Sequence, residues 1–192
     1  MRQKQALGFS LLFAAIAVVI RFSPVHTNFA GFGALALFSS FAVRGWKGWA
    51  IPLAVLFGTD LIGHFGSVSD MGFYYGPTML AVYLGYIPML LMGKVLRWAK
   101  PALPSVHMAY VVPLTALVGS IGFFLISNFG SWLDPMMGGV YARSLSGLAE
   151  CYWMAIPFFR STLQSDVLFS CTFFGVWQLL AQDSKYRETA SV

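Results

Sequence analysis

Residues 107–127 read HMAYVVPLTALVGSIGFFLIS, a stretch without a single Asp, Glu, Lys or Arg. An apolar run of this length crosses a hydrocarbon core about 30 Å thick as one helix. A helix is expected because lipid offers no hydrogen-bond partners to exposed backbone groups, whereas a helix satisfies its own. The stretch therefore predicts a membrane-spanning helix and decides the class of fold expected for the chain around it.

Comparable apolar runs recur over nearly the whole chain. Of the 192 residues, 58% are hydrophobic and 10% are charged, whereas a soluble domain carries about 25% charged residues. We therefore predict an all-α, polytopic membrane protein, a single transmembrane domain over residues 1–192 built as a six-helix bundle. The second span contains Gly31 and Gly33, so it is expected to be tilted, broken or closely packed on a neighbour. The predicted spans are residues 5–22, 29–44, 48–65, 73–93, 107–127 and 162–182.

The first apolar run is interpreted as a mature span and not as a secretory signal. It ends in Arg21-Phe22-Ser23-Pro24 and shows no small-residue cleavage pattern. The two cysteines, Cys151 and Cys171, lie in different kinds of segment, so no disulfide is expected.

The distribution of basic residues predicts the orientation in a cytoplasmic (inner) membrane. With the N-terminus inside, nine lysines and arginines face the cytoplasm and three face outward, which agrees with the positive-inside rule. Both termini are therefore predicted to be cytoplasmic, and the net charge of +5 reflects these flanks and not a nucleic-acid partner. The inner group is Arg2, Lys4, Arg44, Lys47, Lys94, Arg97, Lys100, Lys185 and Arg187; the outer group is Arg21, Arg143 and Arg160.

The outer connector, residues 128–161, is the segment expected to carry the function. Its turn signals are Asp134-Pro135 and Gly138-Gly139, and residues 146–156 are predicted to form a short interfacial helix that ends at Pro157. The connector is expected to lie as a lid over the outer mouth of the bundle.

Charged residues at membrane depth indicate a polar cluster beneath this connector. Asp60 and His64 are four residues apart and share a helix face, and Asp60 lies roughly 20 Å from the cytoplasmic end of its span. Such residues are expected to face the protein interior, either paired with one another or near water. A single histidine such as His64 is also commonly a satisfied interior residue. The predicted cluster is Arg21, Asp60, His64, Asn128, Arg160 and Asp166.

Aromatic residues of the connector have two interpretations. Trp132, Tyr152 and Trp153 are typical of the aromatic belt at a membrane interface. Their proximity in sequence to Asn128, Glu150 and Arg160 also fits a ligand pocket, which combines apolar walls with a few polar groups. A stripe of residues on the fourth span is expected to serve packing, with Tyr75 as a weak candidate for binding; it consists of Tyr75, Met79, Tyr83 and Tyr86.

A ridge of small residues runs along the first span, at Ala6, Ser10 and Ala14. Such a ridge lets another helix approach closely. It indicates either packing within the bundle or a docking face for a separate membrane subunit.

Catalytic and cofactor motifs are missing from the sequence. No H-E-x-x-H, G-x-S-x-G, G-x-x-x-x-G-K-[ST] or C-x-x-C pattern occurs. We therefore expect no cofactor and no metal, and any energised transport would depend on a partner or an ion gradient.

Two motifs resemble those of an uncharacterised family of small bacterial integral membrane proteins. They are Asn128-Phe129-Gly130-x-Trp132-Leu133 and Cys151-Tyr152-x-x-Ala155-Ile156-Pro157-Phe158-Phe159-Arg160-x-Thr162-Leu163, and they occur with Arg21-x-x-Pro24, Asn28-Phe29 and Asp166. That family is more loosely similar to the S components of energy-coupling factor transporters. The resemblance implies a six-helix protein that captures a nutrient from the outer side and passes it to a transmembrane coupling subunit with two ATPases.

Three functions follow as hypotheses. In the first, the protein is a substrate-capture subunit in which Arg160 holds an anionic group, Asp60 or Asp166 a cationic one, and Trp132 stacks on a ring. In the second, it is a membrane-embedded enzyme that uses Asp60, His64 and Asp166 as acid and base. In the third, it is a structural assembly protein whose charges only fasten helices. The expected substrate-binding residues are Arg21, Asn28, Asp60, His64, Asn128, Trp132, Tyr152, Arg160 and Asp166.

Overall fold

The protein is an all-helical bundle within the described part of the chain. The computed structural model describes residues 3–23, 28–66, 68, 73, 76–102, 105–135 and 140–190, and only the backbone of residues 105 and 181–190. The six helices predicted from the sequence are confirmed in number, and the described residues contain no strand. Short 3₁₀ turns, Lys100–Ala102 and Ser105–His107, join the fourth helix to the fifth. The helices are α1 (Gln3–Arg21), α2 (Phe32–Ala42), α3 (Lys47–Phe65), α4 (Gly76–Ala99), α5 (Met108–Leu133) and α6 (Leu145–Ala190).

Four of these helices, α1, α3, α4 and α5, are long and apolar enough to cross a membrane. Their outward faces carry large apolar side chains such as Leu12, Leu80 and Leu114, each more than half exposed. Lipid is the natural environment of such surfaces because it is as apolar as the side chains themselves. The chain is therefore a membrane protein, and its described residues contain four such helices, against the six spans predicted.

The predicted second span, residues 29–44, is wrong in extent. Helix α2 has 11 residues and is about 16 Å long at 1.5 Å per residue, about half of a 30 Å hydrocarbon core. Left-handed glycines stand outside both ends, with φ of 68° at Gly31 and 76° at Gly45. Every residue from Phe32 to Phe41 is buried, and α2 contacts all five other helices. The helix is thus an interior element, and the close packing expected from its glycines is present.

The predicted lid is also wrong. Helix α6 begins at Leu145 and continues through Pro157 to Ala190, so residues 146–156 form its first part and not a separate interfacial helix. A proline removes one backbone hydrogen bond, and membrane helices tolerate this loss. Helix α5 likewise runs on to Leu133 and takes up the start of the predicted connector. The turn at Gly138-Gly139 lies outside the described residues.

Aromatic side chains pack α1, α2 and α6 together. Phe13 of α1 stacks on Phe173 of α6 at 3.9 Å between ring centroids, and Phe38 of α2 meets Phe13 edge-on at 4.9 Å. Trp177 closes the cluster against Phe38 at 5.5 Å. Aromatic pairs of this kind contribute about 0.5–1.5 kcal/mol each beyond simple contact. They hold the half-length helix at the centre of the bundle.

The small-residue ridge of α1 faces this interior. Ala6, Ser10 and Ala14 are 3%, 0% and 4% exposed, and they lie on the side of α1 that packs against the rest of the chain. In this structure the ridge serves packing within the bundle, and these three residues present no open surface to a separate subunit.

Gly93 shows how closely α4 crosses α2. A Cβ at this position would collide with the Ser40 side chain and with the backbone oxygen of Leu37. We expect Gly93→Ala to lower the free energy of unfolding by about 1–2 kcal/mol because backbone atoms cannot give way. In the matched variant Gly58→Ala, the new methyl group meets nothing within 4 Å, so stability should be unchanged or rise by up to about 1 kcal/mol. SDS titration in detergent micelles measures both, and equal effects would contradict the close crossing.

Candidate functional site

The bundle contains a partly open cavity of about 330 Å³, hereafter the main cavity. Residues from all six helices and from the connection between α1 and α2 line it, including Ile20, Gly33, Leu56, Met79, Phe123 and Thr162. Its volume is at the lower end of the range for small-molecule sites, about 300–1,000 Å³. A cavity with polar walls inside a membrane bundle is the feature on which a functional interpretation rests.

An ion pair between Arg21 and Asp60 forms one wall of the main cavity. Arg21 ends α1, and its guanidinium donates to the carboxylate of Asp60 on α3 and to the Thr59 hydroxyl at 2.7 Å. The hydroxyl of Tyr83 on α4 donates to the other oxygen of Asp60, also at 2.7 Å. Asp60 is 1% exposed, so a charge in this position has to be paired. The arrangement ties three helices together and leaves Asp60 neutralised.

Asp166 forms a second polar part of the lining, at the start of α2. Its carboxylate accepts hydrogen bonds from the Ser120 hydroxyl, at 2.8 Å, and from the backbone amides of Gly33 and Ala34. A side chain at Gly33 would collide with this carboxylate. The first amides of a helix have no partner within it, and the helix dipole favours an anion there. Asp166 of α6 therefore caps α2 from outside, and the adjacent Ser165 hydroxyl accepts from the Gly31 amide at 2.8 Å.

A second cavity of about 190 Å³ adjoins the first. It lies among α4, α5 and α6, and Asn128 on α5 contributes to its lining. The amide nitrogen of Asn128 donates to the Phe124 oxygen one turn earlier, at 2.8 Å. The two cavities share four lining residues, Asn28, Val82, Phe123 and Thr162.

The structure brings together only part of the predicted site. Arg21, Asn28, Asp60 and Asp166 line the main cavity, and Asn128 lines the second. The other four predicted binding residues are elsewhere: His64, Trp132, Tyr152 and Arg160 line neither cavity.

His64 does not join Asp60 in the polar wall. Its ring packs near Phe65 and Phe73, and its Nδ1 accepts from the Phe73 amide at 3.4 Å. Residues four apart differ by about 40° around a helix. That difference leaves Asp60 buried and His64 half-buried near the end of α3.

The three remaining predicted residues lie on α5 and α6, away from both cavities. The Trp132 indole donates to the Ala142 oxygen at 2.9 Å, and the Tyr152 hydroxyl donates to the Leu125 oxygen at 2.8 Å. Both bonds fasten the start of α6 and the preceding turn to α5. Arg160 is exposed on α6.

Tyr83 lines neither cavity, but it bonds to Asp60 of the polar wall, and sequence reasoning missed this role. It was assigned to a packing stripe with Met79 and Tyr86, both of which line the main cavity. Tyr83 is half-buried, and the need of a tyrosine hydroxyl inside a protein for a hydrogen-bond partner was the available signal. Tyr75, the weak candidate of the same stripe, lies outside the described residues.

These features define a class of protein: a helical membrane protein whose bundle surrounds a half-length helix and a polar interior cavity. Within that class, the chain belongs to DUF6580, a family of unknown function whose model matches residues 1–189. The predicted membership of an uncharacterised family is therefore confirmed. No curated protein and no solved structure matches the chain.

Proposed function

We propose that the protein binds a small solute in the main cavity and takes part in its uptake across the membrane. The observation that carries the proposal is the cavity itself, which all six helices line and which holds an ion pair and a second carboxylate. Bundles in lipid pack closely, and ionisable residues at membrane depth commonly mark solute paths. Packing alone accounts for Asp166 as a helix cap, but it does not account for the open volume beside it.

The proposal includes the class that the sequence motifs resemble, the S components of energy-coupling factor transporters. Proteins of that class are six-helix substrate-capture subunits, and the helix number and chain length here agree with it. A coupling subunit with ATPases would have to dock on a surface other than Ala6, Ser10 and Ala14, which are buried.

The proposal includes an inner-membrane location with both termini in the cytoplasm. It is based on the excess of basic residues on one side of the predicted topology. A fluorescent-protein fusion at the C-terminus should be bright, and a periplasmic alkaline phosphatase fusion at the same place should be inactive. The reverse pattern would overturn the orientation.

A structural role is the competing interpretation, and the Arg21 to Asp60 bond favours it because the bond joins α1 and α3. Under that interpretation Asp60→Asn lowers stability without changing any uptake phenotype. The enzymatic alternative has less support, because His64 lies apart from the two carboxylates of the main cavity.

A thermal-shift screen with a cavity-blocking variant tests solute binding. Thr162 lines both cavities, and its hydroxyl bonds only to its own helix, at the Phe158 oxygen. Thr162→Phe should fill the junction between the cavities. Thr172→Phe is the matched control, since Thr172 makes the equivalent bond to the Leu168 oxygen but is exposed and lines neither cavity.

The expected result is a compound that raises the melting temperature of the wild type and of Thr172→Phe, but not of Thr162→Phe. The screen covers vitamins, nucleobases and metal ions, added to the purified full-length protein. Stabilisation by no compound, or equal stabilisation of both variants, would contradict binding in the cavity.

A further inference from the structure

The charged side chains that line the main cavity do not sum to zero within the described part of the chain. Those that line it there are Arg21, Asp60 and Asp166. Arg21 and Asp60 neutralise each other through their direct bond. Asp166 is 3% exposed, and its recorded partners are a hydroxyl and two backbone amides, all uncharged. When Asp166 is ionised, these three side chains sum to a charge of −1.

The helix end that Asp166 caps compensates only part of this charge. A helix N-terminus is equivalent to roughly half a positive charge. About half a negative charge therefore remains beside a volume in which electrostatic interactions are stronger than in water. An anionic ligand would be repelled, whereas a ligand with one positive charge would complete the neutralisation.

Aromatic rings supply the second part of the recognition. Phe29, Tyr86 and Phe123 line the cavity together with Phe32. The Arg21 guanidinium already lies over the Phe32 ring, with its central carbon 5.2 Å from the ring centroid. Aromatic faces attract cations through the ring quadrupole, and the arrangement at Phe32 shows that this geometry fits the cavity wall.

A bare metal ion fits these surroundings less well. Among the described residues, no group of three or more His, Cys, Asp or Glu side chains is placed to hold one. An organic ammonium does not need a complete set of oxygen or nitrogen ligands, because its alkyl groups contact aromatic and apolar walls. Met79 and Met89 add such walls here.

We propose that the main cavity takes a small organic cation, an ammonium with apolar substituents on its nitrogen, held by the Asp166 carboxylate and the aromatic faces. The proposal rests on the proposed function, since it names the chemical class of the solute. In it Arg21 and Asp60 remain paired with each other and form a wall.

Three probes of matched shape and different charge test the assignment. They are choline, the neutral 3,3-dimethylbutan-1-ol and the anionic 3,3-dimethylbutanoate. Equilibrium binding of radiolabelled choline to the purified full-length protein is measured, with the other two as competitors. Choline should bind about tenfold or more tightly than the neutral alcohol, and the anion should not compete.

Asp166→Asn and Glu150→Gln separate the cavity charge from a general effect of removing an acid. Both substitutions lie on α6, but Glu150 is exposed and lines neither cavity. Asp166→Asn should reduce the preference for choline over the alcohol to about twofold or less, while Glu150→Gln should keep the full preference. If Asp166→Asn does not fold, the wild-type comparison of the probes decides the question.

Failure of this inference and failure of the proposed function give different results. If the alcohol or the butanoate binds at least as tightly as choline and Thr162→Phe abolishes that binding, the cavity is a solute site and the cation assignment is wrong. A preference for choline that Asp166→Asn leaves intact also overturns the assignment. If no probe binds and the thermal-shift screen is silent, both proposals fail.

Discussion

Replacing Asp166 by alanine is expected to lower the free energy of unfolding by about 3 kcal/mol or more. The substitution leaves the amides of Gly33 and Ala34 and the Ser120 hydroxyl without their acceptor, and a buried donor without a partner costs about 1–3 kcal/mol. It also removes the anion at the N-terminus of α2. SDS titration in mixed micelles, followed by tryptophan fluorescence, gives the change.

Two companion variants make the measurement specific. Asp166→Asn keeps one acceptor oxygen and should lose about half as much stability, while Glu150→Gln, on an exposed face of the same helix, should stay within about 0.5 kcal/mol of the wild type. An Asp166→Ala protein as stable as the Glu150→Gln protein would show that the α2 amides have another partner.

The long helices were predictable because their signal is local. A charge-free run such as residues 107–127 has one stable arrangement in lipid, and α5 covers that run apart from its first residue. The limits of α2 have a different origin. They depend on Asp166 of α6 at one end and on Arg97 of α4 at the other, and no pattern within residues 29–44 reports such distant partners.

The candidate site was predictable to the extent that membrane depth constrains charge. Asp60 and Asp166 had to face the interior, and Arg21 was a natural partner on the same side. The prediction of binding residues in the connector had a weaker basis, because the sequence does not distinguish aromatic residues that bind a ligand from those that join helices. Trp132 and Tyr152 donate to backbone oxygens of the turn and of α5, and only three-dimensional contacts distinguish that role from a pocket wall.

Pro157 shows a related limit of sequence reasoning. In a soluble protein a proline at that position would be a strong signal for a helix end. In the bundle the helix continues from Leu145 to Ala190. The predicted boundary between the connector and the last span followed from a rule that holds for water-soluble helices. Membrane helices tolerate a proline, and here the helix continues past it.

Replacing Arg97 by alanine is the second substitution expected to have a large effect, about 2 kcal/mol or more of lost unfolding free energy. The Arg97 guanidinium donates to the backbone oxygens of Ser40, Phe41 and Val43, the carbonyl end of α2. These oxygens have no partners within the helix, and hydrogen bonds from a charged donor contribute about 1.5–3 kcal/mol each at most. Arg97→Lys should recover only part of the loss, because one ammonium cannot reproduce a planar fork that reaches three acceptors.

Arg44→Ala is the control for a general loss of positive charge at this end of the bundle, since Arg44 is exposed and its removal should change stability by less than about 0.5 kcal/mol. Equal stability of Arg97→Ala and Arg44→Ala in the SDS titration would contradict the capping role.

Arg97 lines neither cavity, whereas Asp166 caps α2 and lines the main cavity. Arg97→Ala protein kept folded at low temperature should therefore retain the preference for choline that Asp166→Asn loses, because Arg97 supports α2 without lining the main cavity.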